Sequence, residues 1–181
     1  MVRTAARIFD EYLVLSAKAG DGRAFELLAR RWQKRLVAHA WRLTGDPEAA
    51  RDAAQAGWLE IARGLDRLRD ERAFAAWAYR IVSRCCARQI VGAKQRRQLC
   101  EALAHEPFAR EPDVDVCVDS GVLRAAIRAL PPDQRTAIAL VHFEDMTIAE
   151  VAVALDVPAG TVKTRLMHAR RKLRAALEGE E

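Results

Sequence analysis

The sequence predicts an all-α protein made of two small helical domains joined by a flexible acidic linker. Apolar residues recur at the spacing of a helix that is buried on one face along almost the whole chain. No segment alternates apolar and polar residues over the length of a strand. With 181 residues, 51% of them hydrophobic, the chain can bury a core in each of two such domains.

The charge pattern divides the chain into three segments. Residues 1–98 hold 20 basic and 11 acidic residues, for a net charge of +9. Residues 99–120 hold one basic and six acidic residues, and residues 121–181 hold nine and eight. The acidic segment has weak periodicity and contains Pro107 and Pro112, as is typical of a linker. We therefore expect one domain over residues 1–98 and a second over residues 121–181.

Three helices are predicted in the first domain. The first ends at "TGDP", where Gly45 can cap one helix and Asp46 and Pro47 can begin the next. The second helix weakens at Gly64, and the polar connection "LDRLRDERA" leads to a third that runs to about Gln98. Their apolar faces are, in order, Phe25, Leu28, Trp32, Leu36 and Leu43; Ala50, Ala54, Trp58, Ile61 and Leu65; and Phe74, Trp77, Ile81 and Cys85.

The second domain is predicted to hold four helices and to begin near Ser120. "LPPDQR" ends the first of them and starts another, because prolines lack a backbone donor and fit at a helix start; this helix runs to about Glu144. "TIAE", Thr147 to Glu150, matches a capping box at the start of a short helix. The apolar faces of the first, third and fourth helices are Leu123, Ile127 and Leu130; Ile148, Val151, Ala152 and Leu155; and Val162, Leu166, Ala169 and Leu173.

A short helix, the tight break "DVPAG" and a basic helix beginning near Pro158 together predict a helix-turn-helix, whose second helix enters the major groove of DNA. Six Lys or Arg residues lie between Lys163 and Arg174. At 100° per residue, Thr164, His168 and Arg171 point away from the apolar face, and Lys163 and Arg165 flank them. A solvated basic helix is the simpler alternative, but the capped neighbour and one-sided packing favour nucleic acid.

Arg80, Arg84 and Arg88 lie one turn apart on the exposed side of the third helix. Like charges at this spacing cost a helix roughly 0.2 to 0.5 kcal/mol per pair, so the stripe is unfavourable unless it meets anions. Phosphates would supply them. The alternative is a solvated face whose arginine stems cover apolar surface.

Several classes of protein are disfavoured by the sequence. No apolar run is long enough for a membrane span, and the N-terminal segment has acidic residues inside its apolar part, unlike a signal peptide, so a cytoplasmic protein without membrane insertion is expected. Neither metal-ligand spacing nor a nucleophile paired with histidine is present, so no metal, cofactor or catalytic residue is predicted. The four cysteines are Cys85, Cys86, Cys100 and Cys117, and the four histidines are His39, His105, His142 and His168.

Two long segments carry a family resemblance. "LPPDQRTAIALVHFEDMTIAEVAVALDVPAGTVKTRLMHARRKLRAAL" resembles region 4 of the extracytoplasmic-function (ECF) sigma factors of the sigma-70 family, including the Gly-Thr-Val-Lys core of the recognition helix. "AGDGRAFELLARRWQKRLVAHAWRLTGDPEAARDAAQAGWLEIARGLDRLRDERAFAAWAYRIVSRCCARQ" resembles region 2 of the same proteins. The two lie in the family's order, with the usual linker between them.

The resemblance implies an alternative RNA polymerase sigma factor, with core polymerase, promoter DNA and an anti-sigma factor as partners. By position, the −10 element would be read by the connection Leu68 to Arg72 and by Arg80, Arg84 and Arg88. The −35 element would be read by Lys163, Thr164, Arg165, His168 and Arg171. The polymerase clamp would be bound by Asp52, Gln55 and Trp58, and the linker would run toward the RNA exit path.

The chain departs from the family pattern at three places. The clamp-binding motif Glu-Asp-Leu-x-Gln-Glu is replaced by Arg-Asp-Ala-Ala-Gln-Ala from Arg51, so two carboxylates are missing. Arg84 and Arg88 stand where the family often has Asn and Asp, which favours phosphate over base contacts. Asp145 stands where the family often has Gly, and Asp tolerates a left-handed turn.

Two alternative functions stay open. The lost carboxylates near Arg51 are also compatible with a sigma-like decoy that binds an anti-sigma factor without supporting transcription. A plain helix-turn-helix repressor would leave the aromatic residues of the first domain with no task beyond packing, which is their usual role.

Overall fold

The computed structural model describes residues 5–103 and 118–178, in which the chain forms eight α-helices and no strand. The helices are α1 (Ala5–Lys18), α2 (Gly22–Thr44), α3 (Pro47–Gly64), α4 (Phe74–Leu103), α5 (Val118–Ala129), α6 (Pro132–His142), α7 (Ile148–Leu155) and α8 (Ala159–Glu178). Two short 3₁₀ turns, Leu65–Arg67 and Glu71–Ala73, connect α3 to α4. The all-α prediction is confirmed. We call residues 5–103 the N-terminal half and residues 118–178 the C-terminal half.

The predicted boundary between the first two long helices has the expected caps. Gly45 is left-handed, with φ of 73°, and its N–H donates to the carbonyl of Trp41. The Asp46 carboxylate accepts from the N–H of Ala49 at 2.7 Å, and Pro47 begins α3. This sharp reversal lays α3 back against α2, and both helices then pack on α4.

The core of the N-terminal half is built from aromatic contacts and one close helix crossing. Trp32 lies edge-on to Phe74 and Tyr79, with ring centroids 5.2 and 5.7 Å apart. α3 approaches α4 at Gly57, where an added Cβ would lie 2.7 Å from Cγ2 of Val82. A glycine is therefore needed there, and its close packing fixes the position of α4 against α3.

The C-terminal half has the predicted turn chemistry. Thr147 and Glu150 form a reciprocal capping box at the start of α7, and Asp156 ends that helix in the left-handed conformation, with φ of 56°. Asp145 is also left-handed, with φ of 51°, a conformation that Asp was expected to tolerate at this position. α6 ends at His142, two residues before the predicted end, and Glu144 falls in the loop that follows.

The two halves pack on each other, with α2 against α6 and α4 against α7. α4 continues to Leu103 and α5 begins at Val118, so these helices occupy both ends of the predicted linker. The flexibility predicted for the acidic segment concerns residues 104–117, which lie outside the described residues.

Candidate nucleic-acid interface

α8 has one buried face and one cationic face. Val162, Leu166 and Ala169 are buried against α5, α6 and α7. Thr164 and Arg171 are exposed on the opposite side of the helix, and Lys163 is exposed at its flank. The capped α7, the turn through Asp156 and α8 thus form the predicted helix-turn-helix. Its second helix presents Lys163, Thr164 and Arg171 to solvent, whereas the predicted Arg165 and His168 are half-buried.

The cations of α8 differ in their partners. The Arg165 guanidinium donates to the Asp133 carboxylate at 2.7 Å and is only 23% exposed. No carboxylate among the described residues pairs with Lys163 or Arg171, although an Arg171 nitrogen lies 3.4 Å from Nδ1 of the half-buried His168. The Thr164 hydroxyl donates to the carbonyl of Gly160 at 3.1 Å. Lys163 and Arg171 are therefore the predicted −35 cations best placed to meet phosphate or base edges.

The arginine stripe of α4 meets carboxylates of the same chain. Arg88 and Arg84 both donate to Glu60 of α3, Arg84 at 3.3 Å. The hydrogen bond from Arg88 is the main cause that lowers the pKa of Glu60, with further help from the charges of both arginines. The anion that the stripe requires is thus supplied intramolecularly at these two positions. Whether phosphate replaces it stays a prediction.

The rest of the predicted −10 reader is divided between exposed and engaged residues. Arg80 donates to Asp156 of the C-terminal half at 2.6 Å, and its side chain is 35% exposed. Arg72 is exposed, 4.0 Å from Asp70. The side chain of Leu68 is buried in the core, so it is not part of the exposed surface of this connection.

The predicted polymerase-binding residues lie on α3. Asp52 and Gln55 are exposed, and Leu59 continues the same face with 55% of its surface accessible. Trp58 is half-buried and stacks edge-on against Phe25, with ring centroids 6.0 Å apart. Only part of the indole is therefore available to a partner.

A buried polar cluster joins the two halves, and no sequence pattern pointed to it. Glu144 of the C-terminal half accepts hydrogen bonds from the Tyr79 hydroxyl and from the Arg42 guanidinium, the latter at 2.8 Å. Burial raises the pKa of this carboxyl, against the opposing effects of Tyr79 and Arg42. Glu144 and its partners are 65 and 102 residues apart in sequence, so no local pattern could have joined them. The same holds for Glu60 and the arginines of α4.

Buried cysteines and histidine complete the interior. Burial raises the pKa of Cys86 to about 12 and also raises that of Cys85, so both thiols stay protonated at neutral pH. Burial, aided by the charge of Arg42, lowers the pKa of His39 to about 3. In the described part of the chain, no cluster of acidic, His and Cys side chains could hold a metal ion. None of the helices described here is long and apolar enough for a membrane span.

Comparison with known proteins gives consistent matches along the chain. Residues 28–97 match the family Sigma-70 region 2, and residues 120–173 match Sigma-70, region 4. The RNA polymerase sigma-H factor of Pseudomonas aeruginosa is 30% identical over 93% of this chain and 94% of that protein. The ECF RNA polymerase sigma factor SigM of Mycobacterium tuberculosis is 33% identical over 91% and 82%. The sigma factor RpoE from Bartonella quintana, solved in complex with the anti-sigma factor NepR, has a similar fold, with a TM-score of 0.70 and 22% identity over 87% of this chain and 98% of that one.

Proposed function

The chain belongs to the ECF sigma factors of the sigma-70 family, and we propose that its described surfaces recruit core RNA polymerase to promoters by reading the −35 element with α8 and the −10 element with α4. The protein would act in the cytoplasm as a binding factor with no catalytic residue of its own. Its affinity for DNA and polymerase would direct initiation.

The exposed row on α8 carries this proposal. Lys163, Thr164 and Arg171 project from a helix whose opposite face is buried, so the helix can lie in a major groove without unfolding its own domain. Arg and Lys contact phosphates or the O6 and N7 atoms of guanine, and Thr contacts base edges or thymine methyl groups. The row therefore offers both positioning and base-specific contacts.

The stripe on α4 is proposed to hold the single strand at the −10 element. Arg72, Arg80, Arg84 and Arg88 would contact its phosphates, and trapping unpaired bases would stabilise the open state against re-pairing. No chemical energy source is needed for this step, since binding free energy drives the melting. In the structure three of these four guanidiniums contact carboxylates of the same chain at 3.3 Å or closer, so DNA would have to displace those contacts.

A run-off transcription assay with purified core polymerase tests the proposal. Genomic promoter fragments are transcribed with the wild-type protein, with a Lys163→Glu, Arg171→Glu double variant, and with Lys34→Glu as a control for added negative charge. Lys34 is an exposed residue of α2 outside both predicted readers. We expect promoter-dependent transcripts with the wild type and with Lys34→Glu, and their loss with the double variant. Equal transcript levels from the wild type and the double variant would contradict a −35 role for α8.

Binding to core polymerase separates an active sigma factor from a decoy. Asp52 and Gln55 are exposed on α3, but the neighbouring Arg51 is exposed as well and carries the opposite charge to the residue usual in the family. Co-elution with core polymerase, reduced by Asp52→Lys, is expected for an active factor. A protein that fails to co-elute while binding an anti-sigma factor would instead be a decoy. We propose an anti-sigma partner for this chain because the sigma factor of similar fold from Bartonella quintana was solved with one.

A further inference from the structure

A cleft of about 450 Å³ opens between the end of α2, α5 and the loop that follows α6. This volume lies in the range of roughly 300 to 1,000 Å³ that small-molecule sites occupy. Trp41 and Phe143 keep 36% and 44% of their surface exposed there. The cleft is lined by two aromatic side chains, one aliphatic side chain and three arginines: Trp41, Phe143, Ile127, Arg42, Arg124 and Arg128. It therefore combines flat apolar surface with positive charge.

The three arginines of the cleft differ in whether a carboxylate balances them. Arg42 donates to Glu144 at 2.8 Å. Arg124 and Arg128 are exposed on consecutive turns of α5, and no carboxylate among the described residues pairs with either of them. Like charges four residues apart on a helix repel each other. The arginines of α4 find their anion in Glu60 of the same chain, whereas the pair on α5 has none in the described ranges.

A fourth arginine reaches the same end of α5. Arg135 of α6 donates to the carbonyl of Arg128 at 2.6 Å and to that of Leu43 at 2.7 Å. Its buried Nε has no hydrogen-bond partner among the residues that the structure describes. Burial and the positive charge of Arg128 lower the pKa of Arg135. An anion bound beside Arg128 would offset this accumulated positive charge.

The aromatic rings of the cleft favour a flat ligand. Arg42 lies over the ring of Phe143, 4.5 Å from its centroid, and Arg124 lies over Trp41 at 5.9 Å. Nucleic-acid bases stack on aromatic rings and on arginine guanidiniums. The Cβ atoms of residues four apart on a helix are about 5 to 6 Å from each other. Two linked phosphates can therefore accept hydrogen bonds from Arg124 and Arg128 together, as the separate carboxylates of an acidic peptide do less readily.

We propose that this cleft binds a purine nucleoside diphosphate, with the base against Trp41 and Phe143 and the phosphates on Arg124 and Arg128. The proposal goes beyond promoter recognition, because none of these four residues belongs to the predicted −35 or −10 readers or to the predicted polymerase-binding residues. A nucleotide that binds only the folded chain stabilises it in proportion to the logarithm of the nucleotide concentration. The site thus makes the protein responsive to nucleotide supply.

Isothermal titration calorimetry of the full chain tests the site. GDP and ADP are titrated separately, at low salt and without divalent cations, so that the phosphates keep their charge. We expect one nucleotide to bind per chain. Pyrophosphate alone and guanosine alone should each bind about tenfold more weakly or worse, because each makes only one of the two kinds of contact. Arg124→Glu combined with Arg128→Glu should weaken GDP binding by about tenfold or more, since both phosphate donors are lost.

Matched variants separate charge in the cleft from charge in general. Arg63→Glu combined with Arg67→Glu makes the same change at two exposed arginines, four residues apart and outside the cleft. This variant should keep its affinity for GDP within about twofold of the wild type. Trp41→Leu should weaken GDP binding about fivefold and leave pyrophosphate binding unchanged, because it removes stacking and keeps the arginines. Trp41→Leu therefore tests the site even if the first double variant loses native helix content.

Several results would overturn the proposal. One is the absence of binding of both GDP and ADP to the wild type. Equal losses in the two double variants would indicate diffuse charge, and equal affinities for GDP and pyrophosphate would indicate an anion site without a base. Displacement of GDP at lower concentration by a 12-nucleotide poly(dT) strand would assign the cleft to nucleic acid, and the same result with an acidic peptide that contains an aromatic residue would assign it to a protein partner. Calorimetry uses neither promoter nor polymerase, so its outcome is independent of the run-off assay.

Discussion

The two basic helices of this protein differ in what their cations already contact. On α4, Arg80, Arg84 and Arg88 are each within 3.3 Å of a carboxylate, supplied by Asp156 or Glu60. On α8, no described carboxylate pairs with Lys163 or Arg171. Both helices are basic in the sequence, but the three arginines of the α4 stripe are paired with carboxylates, whereas Lys163 and Arg171 of α8 are not. The availability of a cation therefore depends on tertiary contacts that composition does not report.

The two halves also differ in the polar residues that they bury. The N-terminal half buries His39 completely, with Nε2 2.9 Å from the Ser83 hydroxyl and with Nδ1 lacking a partner among the described residues. Among the described side chains of the C-terminal half, Glu144 is the only buried residue that is not apolar, and its partners lie in the other half. We therefore expect acid to act first on the N-terminal half and on the contact between the halves.

The largest expected effect concerns His39. Its pKa is about 3 in the folded protein, against 6.5 for an unperturbed histidine, so only the unfolded chain takes up this proton between those values. The stabilisation is present above pH 6.5 and is lost as pH falls toward 3, by about 1.4 kcal/mol per pH unit. From pH 6 to pH 4 the wild type should lose about 2 kcal/mol more stability than His39→Leu.

Urea unfolding followed by tryptophan fluorescence measures this difference, since all four tryptophans lie in the N-terminal half. Ser83→Ala is the matched control: it removes the hydrogen bond to His39 but keeps the imidazole, so its pH dependence should follow the wild type. Parallel pH profiles for the wild type and His39→Leu would show that His39 is not the source of acid sensitivity, and the contrast between the two interiors would then disappear.

The second prediction sharpens the contrast between α8 and α4. Lys163→Ala should weaken binding to a promoter duplex by about 1 to 2 kcal/mol, because an unpaired cation is lost from the side of α8 that is proposed to face the groove. If the contact is to phosphate, the slope of log affinity against log salt should fall by about one. Lys34→Ala, an exposed lysine of α2, is the control and should leave both quantities unchanged. Equal losses from the two variants would mean that the protein binds duplex through diffuse charge.

The third prediction concerns a variant that should free arginines of α4 from their carboxylate partner and so make α4 more like α8. Glu60→Gln removes the carboxylate that Arg84 and Arg88 share, so both guanidiniums become available to phosphate. The affinity of Glu60→Gln for a single-stranded poly(dT) oligonucleotide should rise about threefold at low salt. The rise should be smaller at 0.5 M salt, where exposed charges are screened. Glu26→Gln, which releases Arg30 from an exposed pair on α2, should have no such effect. A fall in affinity would indicate that Glu60 orients the arginines for DNA.

How far the sequence predicts this structure depends on the range of the interactions involved. The helix boundary at Gly45 and Asp46, the capping box at Thr147 and the outward row on α8 depend on residues within a few positions of each other, and all were predicted. The sequence analysis did not predict α1. The exposed face of this helix carries several apolar side chains, including Tyr12 at 61% accessibility.

The unpredicted features depend on distant partners. Glu60 lies 24 and 28 residues from the arginines it binds, and Glu144 lies 65 residues from Tyr79. Helical periodicity places each residue on a face but does not say which faces meet. The single sequence therefore predicted on which helices the candidate residues lie, but it could not predict which of them are already engaged by carboxylates of the same chain.

The smallest expected effect lies within α8 itself. It tests whether a cation's availability to DNA depends on its pairing with a carboxylate of the same chain, and not on the helix that carries it. Arg165 was predicted as a −35 contact, but its guanidinium is 23% exposed and donates to Asp133 at 2.7 Å. Arg165→Ala should therefore weaken duplex binding less than twofold, in contrast to Lys163→Ala two positions away. Asp133→Asn should strengthen binding slightly, since it releases the same guanidinium toward the groove. If Arg165→Ala instead costs as much as Lys163→Ala while Asp133→Asn has no effect, DNA displaces such pairs at little cost, and the arginines of α4 would then be as available as those of α8.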